Sequence, residues 1–396
     1  MISLETAISI LQDKIRGRVP TETIPVREAA GRILAADQKS KVNLPPFDKS
    51  AMDGYAILED DPSETYRVVG VVSAGEPGID KLEPGTTVKV MTGAPVPPGV
   101  GKVVMIEQAV EKDGYVQFEK PSASRHICKK AEDIAVGDTI VKAGARVGPL
   151  EISNLTGCGI STVEVSKPVR AAVIATGDEL VDSPSDLGPG KIMNTNGPLL
   201  CELTRRWGLD VTLSEVLPDD PPKLTKAIQN ALTRADIVLV SGGVSVGDFD
   251  YVPDAIRQCG LEIHISRVAT KPGKPLTFAT GEKGILFGLP GNPVAVYVTF
   301  HVYVLRAVGL LTGWTYEPKV FKIRLAKERR QKPGDRLAFV PSRITAEGLA
   351  EPVVYHGSAH INAVMGADGF LMIPAGIERL PAGAELKMMT FEEWSR

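Results

Sequence analysis

At 396 residues the chain is long enough for two to four domains, and 43% hydrophobic with 23% charged residues is an ordinary globular balance. A net charge of −3 and an aromatic content of 5% argue against a nucleic-acid face or a base-stacking platform. Cys128, Cys158, Cys201 and Cys259 form no CxxC pair, so neither a zinc ribbon nor a disulfide framework is expected, and MISLETAISI lacks the basic start of a secretory signal.

Residues 3–15 predict a helix capped by Ser3, with Leu4, Ala7, Ile8, Leu11 and Ile15 on one apolar face. IPVREAAGRILA (24–35) predicts a short strand and a second helix. NLPPFDKSAMDGYAI (43–57) breaks regular structure at Pro45 and Pro46 and carries Asp48 and Asp53 on a loop. From about 65 to 120, TYRVVGVV, TTVKVM, KVVMI and YVQFEK read as short strands of a separate β module. The 137–160 segment reads as a strand, a turn and a helix starting near Pro149, packed back on the N-terminal helices, so that the β module is an insertion.

A central α/β domain follows. AVIATGDEL (172–180), DIVLVSGGVSVGDFDY (236–251), KPGKPLTF (271–278) and GILFGLPGNPV (284–294) each read as an apolar run followed by a tight polar loop. Val-, Ile- and Leu-rich runs alternating with helical patterns (195–207, 221–235, 250–259 and 292–311) imply a mostly parallel sheet buried on both faces. Ligands bind such sheets at the carboxyl ends of their strands. The four loops should therefore meet at one rim with Asp178, Glu179, Asp248, Asp250, Lys271 and Lys274, a set suited to a phosphate-bearing substrate and a metal ion. The longest apolar stretch, Val294–Leu311, carries His301 and Arg306 and reads as a buried helix rather than a membrane span. A soluble cytoplasmic protein is expected. Beyond about 317 helical periodicity stops, and five strands predict a small β domain or barrel.

SGGVSVGDFDY offers Gly242, Gly243 and Ser245 as an oxyanion cradle, and Asp248 and Asp250 as oxygen ligands for a cation. It is no Walker loop. In LPDDP (217–221) one of Asp219 and Asp220 caps the helix at Pro221 and the other is free. KPGKP suits an anion. In GLPGNPV, Pro290, Gly291 and Asn292 precede a helix that Asn292 caps and Pro293 starts, leaving its N-terminus open to an anion. His356 and His360 of HGSAH could pair on a metal, although no third ligand stands nearby.

Together these motifs carry a resemblance. PPFDKSAMDGYA, VMTGAPVP, EDIAVGD, TGDEL, NTN (194–196), LPDDP, SGGVSVGDFDY, KPGKP, GLPGNPV and HGSAH stand in the order seen in MoeA-type molybdopterin molybdenumtransferases, the molybdenum insertases related to the gephyrin E domain. The likeness covers about 45 to 370. It departs from the family pattern at Cys128-Lys129-Lys130-Ala131, where an arginine-rich stretch ending in Gly is usual, and at Arg267, where a lysine is usual.

The resemblance implies a multidomain α/β homodimer: an N-terminal helical/mixed domain (1–46 plus 135–168), an inserted β module (47–134), a central three-layer α/β domain (169–316) and a C-terminal β-barrel-like domain (317–396). It implies that adenylylated molybdopterin and molybdate react with hydrolysis of the pyrophosphate link and release of AMP. Asp219 and Asp250 would hold Mg2+, Asp178 and Glu179 would orient substrate or the attacking oxygen, and Gly242, Gly243, Ser245, Pro290, Gly291 and Asn292 would bind substrate. Lys271, Lys274, Arg336 and Ser358 would bind molybdate, a dianion that needs cations and hydroxyl donors. Asp53, Thr92 and Asp133 would come from the partner chain. A molybdopterin adenylyltransferase upstream and molybdoenzyme-delivery proteins downstream are the implied partners. The intact carboxylates and lysines argue against the alternative of a non-enzymatic gephyrin-like scaffold. The additional N- and C-terminal domains argue against a molybdopterin adenylyltransferase.

Overall fold

The computed structural model describes residues 1–120, 123–243, 251–332 and 334–390. Its centre is a six-stranded sheet in the order Asp210–Leu217, Arg170–Thr176, Ile237–Ser241, Gly284–Leu289, Pro275–Gly281, Glu262–Arg267. The first four strands are parallel, and registers such as Val173↔Leu239 and Leu239↔Phe287 align their carboxyl ends. Both faces are covered, which is why these strands read as unbroken apolar runs. On one face Leu200, Phe278, Phe287 and the long helix beginning at Pro293 join the core; on the other, Leu224, Ile228, Val252 and Ile256 pack over Ile174, Val238 and Val240.

One strand departs from the parallel expectation: Pro275–Gly281 runs antiparallel to both its neighbours, Gly284–Leu289 and Glu262–Arg267. The reversal is itself what brings KPGKP to the rim: the loop precedes its strand, and Thr277 pairs with Gly288, next to the end of the parallel strand Gly284–Leu289. The helix from Pro293 to Thr312 is long and apolar enough to cross a membrane, yet 83% of its apolar window is buried in the protein. Its middle turn, Phe300–Val304, widens to π geometry around the fully buried His301.

The N-terminal helix Leu4–Lys14 is capped by Ser3, whose hydroxyl accepts from the Thr6 amide at 3.1 Å. Its apolar side, Ala7 and Leu11, enters the central core and not the 137–160 segment. The second helix expected within 24–35 does not form. After one 3-10 turn, Val26–Glu28, the chain turns at Gly31 (φ +78°), and Ile33 and Leu34 bridge to Arg146 and Val165. That packing satisfies the backbone across the chain, and Val26, Leu34, Val147 and Leu155 form a separate small core. Helix Pro149–Gly157 starts at the expected proline.

Between these paired segments lies a six-stranded sheet in the order Val100–Met105, Gly54–Leu58, Thr86–Val90, Tyr66–Val72, Tyr115–Phe118, Ala109–Lys112. GYAIL (54–58), read from sequence as irregular, is an inner strand of this sheet, with Tyr55, Ala56 and Ile57 buried. Near the carboxyl end, Lys319–Arg324, Glu385–Thr390, Gly369–Ile373, Leu337–Ile344 and Ala350–Pro352 pair in sequence, and Leu325 bridges Ala350. The strand expected through EPVVYH stops at Pro352, leaving Val353 to His356 as loop.

Candidate active-site cleft

The rim is built by short-range geometry. Gly242 follows the Ile237–Ser241 strand with φ +99°, and a Cβ there would lie 2.1 Å from the Thr176 carbonyl oxygen. Only glycine lets the two strand ends approach so closely. Asp220 occupies the N-cap of helix Pro221–Leu232, accepting from the Lys223 amide at 3.0 Å. This leaves Asp219 at the rim, where its carboxylate accepts from the Thr176 hydroxyl at 2.9 Å. The Asp219 amide in turn donates to Asp178 Oδ1 at 3.1 Å, so the two acids are neighbours.

Asn196 opens the helix Asn196–Arg206 and spans the rim: its Nδ2 donates to Ser241 Oγ (2.9 Å) and to the Gly291 carbonyl (2.7 Å). A carbonyl can only accept, so the amide orientation is fixed. Asn196 Oδ1 is buried, and no donor among the described residues reaches it. A cavity of about 320 Å3 lies here, lined by Thr176, Glu179, Asn194, Asn196, Gly242 and Asn292.

A larger cleft of about 970 Å3 opens on the other side of Gly291 and Asn292, which line both spaces. One wall is KPGKP. Gly273 takes φ +104°, and a Cβ on it would meet Thr299 Cγ2 at 2.7 Å, which seats the loop against the core helix. Thr270 pairs with Leu337, stitching that loop to the C-terminal sheet, while Arg336 donates to the Thr270 carbonyl at 3.5 Å. The opposite wall is the 355–358 loop. Asn292 stands at the N-cap of its helix, but its side chain is not spent there: Nδ2 donates to Ser358 Oγ at 2.8 Å, and the Val294 amide donates to the Ser358 carbonyl at 3.0 Å. The central and C-terminal sheets thus enclose the cleft and are tied across it.

The cleft gathers Lys271, Lys274, Pro290, Gly291, Asn292, Arg336 and Ser358. Gly242 and Glu179 line the smaller cavity, with Asp178 and Asp219 beside it on the rim. Gly243 follows Gly242 with φ +59°. Ser245, Asp248 and Asp250 lie outside the described residues. Asp53, Thr92 and Asp133 are elsewhere: among the described residues none of 47–134 lines either space. Among the described residues no group of three or more His, Cys, Asp or Glu side chains could hold a metal, and the His356 and His360 rings stack edge-on, with centroids 5.4 Å apart. Sequence reasoning passed over Arg329, Lys332, Tyr355 and His356 as cleft residues, and over Asn196 as the rim spacer. The basic run KERRQK was the available signal for the first two.

The inserted sheet carries a different electrostatic pattern. The Thr92 amide and then its hydroxyl, both 2.7 Å from Asp53 Oδ1, hold the Asp53 carboxyl below its ordinary pKa. The Lys129 ammonium (2.8 Å) and the Lys130 amide (2.8 Å) do the same for Asp48. Burial, reinforced by the hydrogen bond to Glu111, pushes Tyr55 up to about 12.

A sheet covered on both faces, whose rim opens into a cleft lined by cations, defines an α/β protein built to hold an oxyanion-bearing ligand. Residues 2–159 match the MoeA N-terminal region (domain I and II), 172–309 the probable molybdopterin binding domain, and 322–391 the MoeA C-terminal region (domain IV). A molybdopterin molybdenumtransferase of Staphylococcus epidermidis is 33% identical over 393 residues, covering 96% of this chain and 94% of that protein. One of Staphylococcus aureus is 32% identical over 385 residues, covering 94% and 92%. The crystal structure of a molybdopterin biosynthesis moeA protein from Pyrococcus horikoshii superimposes with a TM-score of 0.85 at 28% identity, covering 99% of this chain and 100% of that one. The chain belongs to the MoeA-type molybdopterin molybdenumtransferase family.

Proposed function

We propose that this protein is a cytoplasmic molybdenum insertase that transfers molybdate to adenylylated molybdopterin, hydrolysing the pyrophosphate link and releasing AMP. The observation that carries the reading is the cleft itself: Lys271, Lys274, Arg336 and Ser358, from three separate loops, line one space that adjoins the rim at Gly291 and Asn292. Ammonium, guanidinium and hydroxyl donors suit a tetrahedral dianion, and the glycine-rich rim suits phosphate. The helix N-terminus expected to receive an anion is not open, because Pro293 carries no N–H and the Val294 amide donates to the Ser358 carbonyl. The domain division given above is part of this reading, supported by the Thr21–Pro25 and Thr162–Ser166 ladder that brackets the inserted sheet.

Each group has a role that follows from its charge. Lys271 and Lys274 would draw molybdate in and hold it, with Ser358 fixed by Asn292 as a neutral donor. Asp178 and Glu179 would position the attacking oxygen. Asp219, with Asp250, would hold Mg2+; a carboxylate at the rim braced by the Thr176 hydroxyl and adjacent to Asp178 is an oxygen-only donor set, which fits a hard divalent cation. When bound, Mg2+ supplies positive charge that offsets the charge developing on the phosphate oxygens during P–O cleavage. A second copy of the chain would bring Asp53, Thr92 and Asp133 to this site, consistent with their distance from the cleft of their own chain.

The test is AMP release from adenylylated molybdopterin by the purified protein supplied with molybdate and Mg2+. Molybdate-dependent AMP release with formation of active cofactor is expected. Absence of AMP under those conditions would overturn the proposal.

A further inference from the structure

Arg329 stands out among the cations of the cleft. It lies on the short strand Arg329–Arg330, paired antiparallel with Arg379–Leu380. Successive strand residues face opposite sides. On the outer side Arg330 and Arg379 both close on Glu328, at 2.9 Å and 2.8 Å, and share its charge. Arg329 lines the cleft instead, half-buried, and no carboxylate among the described residues pairs with it. Among the described residues its hydrogen-bond partner is the neutral side-chain oxygen of Gln331, at 3.4 Å. Gln331 is itself fixed, because its Nε2 donates to the Ile377 carbonyl at 3.1 Å, which turns Oε1 toward Arg329.

Burial pulls the Arg329 pKa below its ordinary value, yet a guanidinium stays protonated at neutral pH. The cleft therefore holds a partly desolvated cation that no carboxylate among the described residues pairs. Lys271, Lys274 and Lys332 also form no ion pair among the described residues, while Arg336 has Asp335 at 3.4 Å. Leaving a charge half-buried and unpaired is costly, and a ligand of opposite sign removes that cost. The lysines are exposed and flexible; Arg329 is the pre-organised member of the set, and its planar fork matches two oxygens of a tetrahedral anion.

We propose that Arg329 is an anion-binding residue of this cleft, meeting a doubly charged tetrahedral oxyanion alongside Lys271 and Lys274. The inference rests on the molybdate reading of the cleft given above.

The experiment is titration calorimetry of the full chain with sodium molybdate, comparing wild type, R329Q and R330Q, with thermal melting of each. R330Q removes the same charge one residue away, on the outer face. R329Q is expected to weaken molybdate binding about tenfold or more, the size of a lost charge-assisted hydrogen bond, and R330Q to stay within about twofold. R329K, which keeps the charge without the fork, is expected to fall between wild type and R329Q. Should R329Q fail to fold, R329M, which keeps an unbranched apolar stem, takes its place. Equal binding by wild type and the neutral Arg329 variant, or equal weakening by R330Q, overturns the assignment of Arg329 and leaves the cleft reading standing. A wild-type protein that binds no molybdate overturns the cleft reading, and the assignment with it.

Discussion

The cleft and the inserted sheet of residues 54–118 treat charge in opposite ways. In and around the inserted sheet several charged groups are answered by a neighbour: Arg125 forks onto Glu59 at 2.9 and 3.0 Å, Lys129 holds Asp48, and the neutral Thr92 holds Asp53. In the cleft Lys271, Lys274, Arg329 and Lys332 stand without ion pairs among the described residues. A paired charge fixes a loop and is finished. An unpaired one, gathered with others in a concave space, attracts a ligand and is where chemistry is expected. The contrast locates function more sharply than the number of charged residues in either region.

Five substitutions can break or sharpen that contrast. The largest effect is expected at the rim both cavities depend on. Gly242→Ala places a Cβ 2.1 Å from the Thr176 carbonyl at a positive φ, and should cost about 2–4 kcal/mol by thermal or urea unfolding. A variant as stable as wild type would mean the rim can splay. Next, Lys274→Ala should lower the rate of AMP release about a hundredfold with an unchanged melting temperature, since the lysine is exposed and unpaired. Arg125→Ala, a paired cation in the inserted sheet, should cost no more than about 1 kcal/mol of stability and leave the rate alone. Similar rates for the two variants would erase the distinction between the regions.

Ser358→Ala removes the 2.8 Å bond from Asn292 and should destabilise the tie between the sheets by about 0.5–1.5 kcal/mol, with a larger proportional loss of rate than of stability. The smallest effect concerns Asp48. Its carboxyl is held below the ordinary value, so its stabilisation is present above the unfolded carboxylate pKa and is lost as pH falls through the lowered folded one. Asp48→Asn should therefore flatten the stability loss between about pH 5 and pH 2, by less than about 1 kcal/mol because the pair is exposed. An identical acid profile for the variant would show the pair to be inert.

What was legible in the sequence follows from how locally each feature is determined. The strands at 170–176 and 237–241 announced themselves because burial on both faces demands a continuous apolar run. A cap at Asp219 or Asp220, which the structure assigns to Asp220, and the proline starts at 149, 221 and 293 are decided within one helical turn. Strand direction is not local: nothing in PLTFATG says that it runs antiparallel, and that choice alone brings KPGKP to the rim from before its strand. The helix expected in 24–35 lost to cross-chain bridges at Ile33 and Leu34 with partners more than a hundred residues away. The basic run at 327–332 signalled Arg329 but not its direction, for a similar reason: the strand that aims it into the cleft is paired with residues 379–380.

The most direct test of the cleft is a crystal of the protein soaked in molybdate and recorded at the molybdenum absorption edge. An anomalous peak between the KPGKP loop and the 355–358 loop, within contact of Lys271 or Lys274, is the expected result. A peak seated on another face of the molecule, with that cleft left to solvent, would contradict the account.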